Sequence, residues 1–173
     1  MLRQFECYLK AISIRETLES CDKLAIANDY NCIGWYYGLH KEYDLGIEYC
    51  TKSTDIFEKF SLTDEQERSY SSVLNSLGVI YDGIGNFEKA FDYCQKSMKI
   101  LEKLSSNDDS ANTYNYEIFA NIHLYNGEQK LAVEFYKKSL NLFKITRSHD
   151  SLSRERVEKK LVNINSEQTN LKI

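Results

Sequence analysis

Leu74-Asn75-Ser76-Leu77-Gly78-Val79-Ile80-Tyr81-Asp82-Gly83-Ile84-Gly85-Asn86-Phe87-Glu88-Lys89-Ala90 is the stretch on which the reading of this chain turns. Leu74, Leu77, Gly78 and Tyr81 fall at i, i+3, i+4 and i+7, which lines them along one stripe of a helix. Upstream, Thr63-Asp64-Glu65-Gln66 has the form of a capping box that starts the helix. Gly83 and Gly85 supply its stop, and Asn86 can cap a second helix. That second helix places Phe87, Ala90, Phe91, Cys94, Ser97, Met98 and Leu101 at three- and four-residue steps and turns Lys96, Lys99, Glu102 and Lys103 to water. The two apolar stripes predict a helix hairpin.

The hairpin recurs. Glu48-Tyr49-Cys50-Thr51-Lys52-Ser53, Asp92-Tyr93-Cys94-Gln95-Lys96-Ser97 and Glu134-Phe135-Tyr136-Lys137-Lys138-Ser139 are three versions of one phrase, each at the same distance after a small residue, Gly46, Ala90 or Ala132. The spacings are 44 and 42 residues, a period that means stacked supersecondary units, none of which buries its apolar face alone. The first helices register as well, with Tyr30, Ile33, Gly34 and Tyr37 before the best copy and Tyr116, Phe119, Ala120 and His123 after it.

On these residues the chain resembles the tetratricopeptide repeat, in the longer, kinesin-light-chain-like variety. The resemblance implies an all-α, right-handed solenoid of helical hairpins. Small residues at Gly34, Gly78 and Ala120, and at Gly46, Ala90 and Ala132, would let the two backbones of each hairpin approach closely. The expected organisation is a partial repeat over 1–20 that supplies only a second helix, repeats over 22–60, 64–104 and 109–146, and a capping helix over 150–168. Polar joints are expected at 61–64 and 105–110, and fraying beyond Asn165. Three departures stand out: no Pro closes a repeat, Lys41 sits where a Gly usually turns the chain, and Gly46 replaces the common Ala.

The bulk numbers agree with a folded helical chain. Of 173 residues, 42% are hydrophobic and 28% charged, and the absence of Pro beside seven Gly removes the usual helix breakers. A net charge of −4 with interspersed Lys and Arg leaves no basic stripe for a nucleic-acid backbone, and no stretch is long and apolar enough for a membrane span. A soluble, cytoplasmic chain is the expectation. Five cysteines, Cys7, Cys21, Cys32, Cys50 and Cys94, form an odd set without a C-x-x-C pair, which reads as buried free thiols rather than a disulfide framework.

The resemblance also places the functional surface, since first helices of successive units line a concave groove in such arrays. The slots facing it hold Asn28, Asn31, Trp35 and Leu39, then Ser72, Asn75, Val79 and Asp82, then Tyr114, Glu117, Asn121 and Tyr125. Asn31 and Asn75 occupy equivalent steps, and an amide row can pair with the backbone of a bound peptide whatever its side chains. Trp35, Tyr114 and Tyr125 would anchor partner side chains, and Asp82 with Glu117 would favour a peptide carrying Lys or Arg. These slots lack the Lys and Arg of a clamp for a C-terminal carboxylate, which excludes that partner class.

Catalysis has little support, because His40, His123 and His149 are scattered and no Cys or Ser has a base at a recognisable spacing. No metal or cofactor is implied. Asn107-Asp108-Asp109-Ser110 reads as a helix cap rather than a calcium loop. The expected function is a non-catalytic scaffold for a protein or peptide. Two further readings stay open: a structural segment that self-associates through the uncovered face of the opening helix, and a sensor or regulatory portion of a larger signalling protein.

Overall fold

The computed structural model describes residues 2–16, 22–104, 112–145 and 151–170. Within them lie eight helices: α1 (Leu2–Glu16), α2 (Lys23–Leu39), α3 (Tyr43–Phe57), α4 (Asp64–Ile84), α5 (Phe87–Lys103), α6 (Asn112–Tyr125), α7 (Gln129–Ile145) and α8 (Ser151–Asn170). The fold is all-α, built as a helical-hairpin repeat from α2/α3, α4/α5 and α6/α7. The chain divides into two compact units, 1–105 and 106–173.

The same turn closes all three hairpins. In the middle one, Gly85 adopts the left-handed conformation at φ 83°, its N–H donates to the Asp82 carbonyl at 2.9 Å, and the next N–H, of Asn86, reaches back to Tyr81 O at 2.9 Å. Gly127 repeats the geometry at φ 78°, with Glu128 N–H donating to His123 O at 2.8 Å. Lys41 takes the equivalent place at φ 62°, with Glu42 N–H donating to Tyr37 O at 2.9 Å. The turn therefore forms without glycine, at the cost of crowding a Cβ against the backbone.

Gly46, Ala90 and Ala132 are all buried one turn past the hairpin bend, each donating its N–H to the carbonyl four residues back at 3.0, 3.0 and 3.1 Å. In the first hairpin the backbones are so close that a Cβ on Gly34 would strike Cys50 Sγ, and one on Gly46 would lie 3.1 Å from the Gly34 carbonyl oxygen. A polar clip adds to this packing. The Ser53 hydroxyl donates to Ala27 O at 2.7 Å and the Ser139 hydroxyl to Thr113 O at 2.9 Å, both serines being fully buried, as is their equivalent Ser97.

In the first unit, Ala27, Cys50, Phe57, Val73, Leu77 and Ile80 form one core, and α2 packs against α1, α3 and α4. The capping box at the start of α4 forms from both sides, Thr63 N–H donating to Gln66 Oε1 at 2.9 Å and Gln66 N–H to Thr63 Oγ1 at 3.4 Å. α1 carries Ala11 where the other second helices carry the clip serine, and Tyr8 and Ala11 stay partly exposed while their equivalents are fully buried. Ile12, 7% exposed, seals α1 onto the unit.

In the second unit, Ala120, Ala132, Tyr136 and Phe143 join Val157 and Ile164 of α8 in a single core. α8 runs on to Asn170, past the Asn165 at which polar sequence predicted fraying. Cys50 and Cys94 are buried, as expected of free thiols, but Cys32 is only half-buried and Cys7 is exposed. Cys21, His149, the joint at 105–110 with its Asn107–Ser110 cap, and the start of the predicted cap at Asp150 lie outside the described residues.

Candidate interaction surface on the first helices

The inner-slot residues of the first unit come from α2 and α4. Asn28 is exposed, and Asn31, Trp35, Val79 and Asp82 are half-buried. Leu39 is 46% exposed, and Ser72 is exposed, with its hydroxyl turned back onto Arg68 O at 3.1 Å. The two amides expected to act as a pair differ: Asn75 is only 6% exposed, whereas Asn31 is half-buried and accepts a weak 4.0 Å bond from the Cys50 thiol. An open row of equivalent amides is not what α2 and α4 present, because the neighbouring helices pack over the α4 position more fully.

α2 is unusual in composition. Between Lys23 and Leu39 its only other charged side chain is Asp29, and that carboxylate is 8% exposed and ion-paired with Arg15 of α1. A helix with so little charge is expected to be largely covered by its neighbours. Leu39 and Trp35 are instead left with accessible surface near its C-terminus.

In the second unit the slots fall on α6, and here the structure departs from the expected acidic invitation to a basic peptide. Glu117 is 4% exposed, and Arg156 of α8 grips it with two bonds, Nε to Oε1 and Nη2 to Oε2, each 2.8 Å. Lys160, one turn further along α8, donates to Asn121 Oδ1 at 2.7 Å and lies 3.7 Å from Glu117 Oε1. Asn121 Oδ1 also receives the Tyr136 hydroxyl at 2.6 Å. The carboxylate expected to read a partner's Lys or Arg is therefore read by this chain's own C-terminal helix. A buried carboxylate needs such a cation, since its desolvation would otherwise cost several kcal/mol, of order 3 to 5 when a partner is removed. Tyr114 packs edge-on to Phe143 at 5.9 Å, while Tyr125 is 72% exposed.

A second regular feature escaped the reading of the sequence. Tyr37 stacks on Tyr49, Tyr81 on Tyr93 and His123 on Phe135, with interplanar angles of 17°, 4° and 8°. In each case a lysine three residues on covers the second ring: Lys52 over Tyr49 at 4.9 Å, Lys96 over Tyr93 at 5.5 Å and Lys138 over Phe135 at 4.9 Å. The signal was present in the repeated aromatic-x-x-Lys phrase. His123 thus takes a tyrosine's place in the stack, and its Nδ1 lies 2.5 Å from Glu128 Oε2. Burial, with the Asp82 carboxylate as a second cause, pushes the Cys94 thiol up from its ordinary range, and burial raises Cys50 to about 12, so neither is a nucleophile at neutral pH.

Among the described residues, no group of three or more His, Cys, Asp or Glu side chains could hold a metal ion, and no helix is long and apolar enough to cross a membrane. These hairpins define an all-α helical-hairpin repeat. Residues 69–145, from within α4 to the end of α7, match the family model described as Tetratricopeptide repeat. No curated protein matches the sequence.

Proposed function

We propose that this chain is a non-catalytic scaffold that holds a peptide or partner helix on the exposed side of its first helices, and that its 42- and 44-residue spacings make it one of the long-period, kinesin-light-chain-like arrays. Repeats of this family generally mediate protein-protein interaction. The observation that carries the reading is the C-terminal half of α2, where Trp35 and the 46%-exposed Leu39 keep accessible apolar surface on a helix almost without charge. Asn28 and Asn31 beside them can bond the backbone of an extended or helical guest.

Panning a random peptide library on the full chain tests it. Peptides selected on the native protein should bind at least about tenfold more weakly to a Trp35→Ala/Leu39→Ser variant whose thermal melt is unchanged, the loss expected of an aromatic anchor. Peptides that bind both proteins equally would remove α2 as the binding surface.

A second reading has one observation in its favour. α1 exposes Ile14 at 60% and Leu9 at 38%, an apolar edge that suits self-association. Light scattering that finds a monomer at high concentration would dispose of it.

A further inference from the structure

We infer that α8 is a built-in occupant of a partner site on α6, and that the partner taking this seat is a helix with arginine and lysine one turn apart, in the arrangement Arg156-Val157-Glu158-Lys159-Lys160. The inference rests on the reading of the first helices as partner-bearing surfaces, and it adds which chemistry the second unit selects.

The seat has three parts. A buried carboxylate, Glu117, meets the planar fork of Arg156 through two 2.8 Å bonds, a geometry that selects arginine over lysine at that step. The Asn121 amide oxygen takes the Lys160 ammonium at 2.7 Å. Between these two, Val157 is fully buried in the core of the unit, one residue after the arginine. An occupant must then present Arg, an aliphatic residue beside it, and Lys four positions after the Arg.

α8 packs its apolar side on the core it shares with α7 and reaches α6 through its two cations. Val157 and Ile164 are buried and Leu161 is partly so, while Val162 is 65% exposed and Arg154, Glu155, Glu158 and Lys159 are solvated, paired with one another along the helix at 3.6 and 2.8 Å. Arg156 is itself 46% exposed while the Glu117 side chain beneath it is only 5% exposed, so a competing cation reaches the acid only as α8 lifts away. A basic helix that offers the same two cations and a larger apolar face would exchange with α8, since the two occupants satisfy the same buried acid.

The test uses the full chain and a fluorescent 20-residue peptide of the α8 sequence, Ser151–Asn170. An Arg156→Ser/Lys160→Ser chain, with its own occupant weakened, should bind the peptide at least about tenfold more tightly than the native chain, the factor expected when a competing intramolecular contact is removed. A peptide with the same two positions changed to Ser should fail to bind, and adding Glu117→Gln to the chain should abolish binding of the native peptide. Equal binding to both chains, or binding indifferent to the peptide's cations, overturns the inference, as does dimerisation of the variant by exchange of α8 with no uptake of peptide. Should the variant lose its helical circular dichroism, hydrogen exchange on the native chain decides: excess peptide should speed exchange of α8 amides, and unchanged protection overturns the proposal. The α2 surface is read separately through Trp35→Ala/Leu39→Ser, so failure of either site is distinguishable from failure of the other.

Discussion

The hairpins α4/α5 and α6/α7 are built alike yet treat the same inner step in opposite ways. Asn75 on α4 is a neutral amide packed into its unit, whereas Glu117 on α6 is a carboxylate of similar burial that a cation from α8 must neutralise. A neutral amide can be buried through hydrogen bonds alone, but a charge cannot, because its desolvation exceeds what neutral donors return. One substitution at a repeated step thus converts a packing position into an electrostatic latch. The repeat supplies the step, and the identity of the residue there decides whether a further helix is required.

The largest expected effect falls on that contrast. Arg156→Ala leaves Glu117 buried with Lys160, 3.7 Å away, as its remaining ion-pair partner among the described residues, and should lower stability by about 3 kcal/mol in urea titrations followed by circular dichroism. Glu117→Gln should recover much of the loss in the same background; a silent Arg156→Ala would break the latch reading. Next comes the shared seam. Leu at Ala90 or at Ala132, both fully buried, should cost about 1 to 3 kcal/mol through overpacking, and similar losses at the two sites would show that the hairpins are interchangeable where they pack.

The turns sharpen the comparison in the stabilising direction. Lys41 holds the left-handed conformation that Gly85 and Gly127 adopt without penalty, so Lys41→Gly should raise stability by about 1 kcal/mol, and Gly85→Lys should lower it by a similar amount. A melting temperature unchanged by Lys41→Gly would mean that the unfolded chain gains as much freedom as the turn gains ease.

The smallest effect at neutral pH concerns the thiols at equivalent steps, Cys50 and Cys94, where the third hairpin has Tyr136. Burial holds the Cys50 thiol at about 12 against an ordinary 9.0, so from pH 9 upward the unfolded chain loses this proton first and the folded state loses stability as pH rises. Urea midpoints should therefore fall between about pH 8 and pH 10, and a thiol reagent at about pH 8 should label exposed Cys7 while sparing Cys50 and Cys94 until unfolding.

Much of the fold was legible because its signals are local. The stripe of Leu74, Leu77, Gly78 and Tyr81, the Thr63 to Gln66 box and the turn at Gly85 each depend on residues within a turn or two of one another, and all appear in the structure. The candidate surface was less legible. Asn31 and Asn75 look identical by register but differ in exposure, since burial depends on what packs over a helix from elsewhere. Arg15 with Asp29 and Arg156 with Glu117 were missed for the same reason, although a lone acid on α2, whose one other charge is Lys23 at its start, was a visible hint.

By itself the sequence determined the hairpin, its period, the small residues along its seam and the apolar stripes of the core, because helix periodicity and turn chemistry act over a few residues. Only the tertiary structure decided that Glu117 is answered by Arg156, 39 residues away, and that α2 keeps accessible apolar surface while α8 covers the Glu117 step of α6. Which charges meet, and which surface is left open, follow from the packing of whole helices, and no local pattern encodes that.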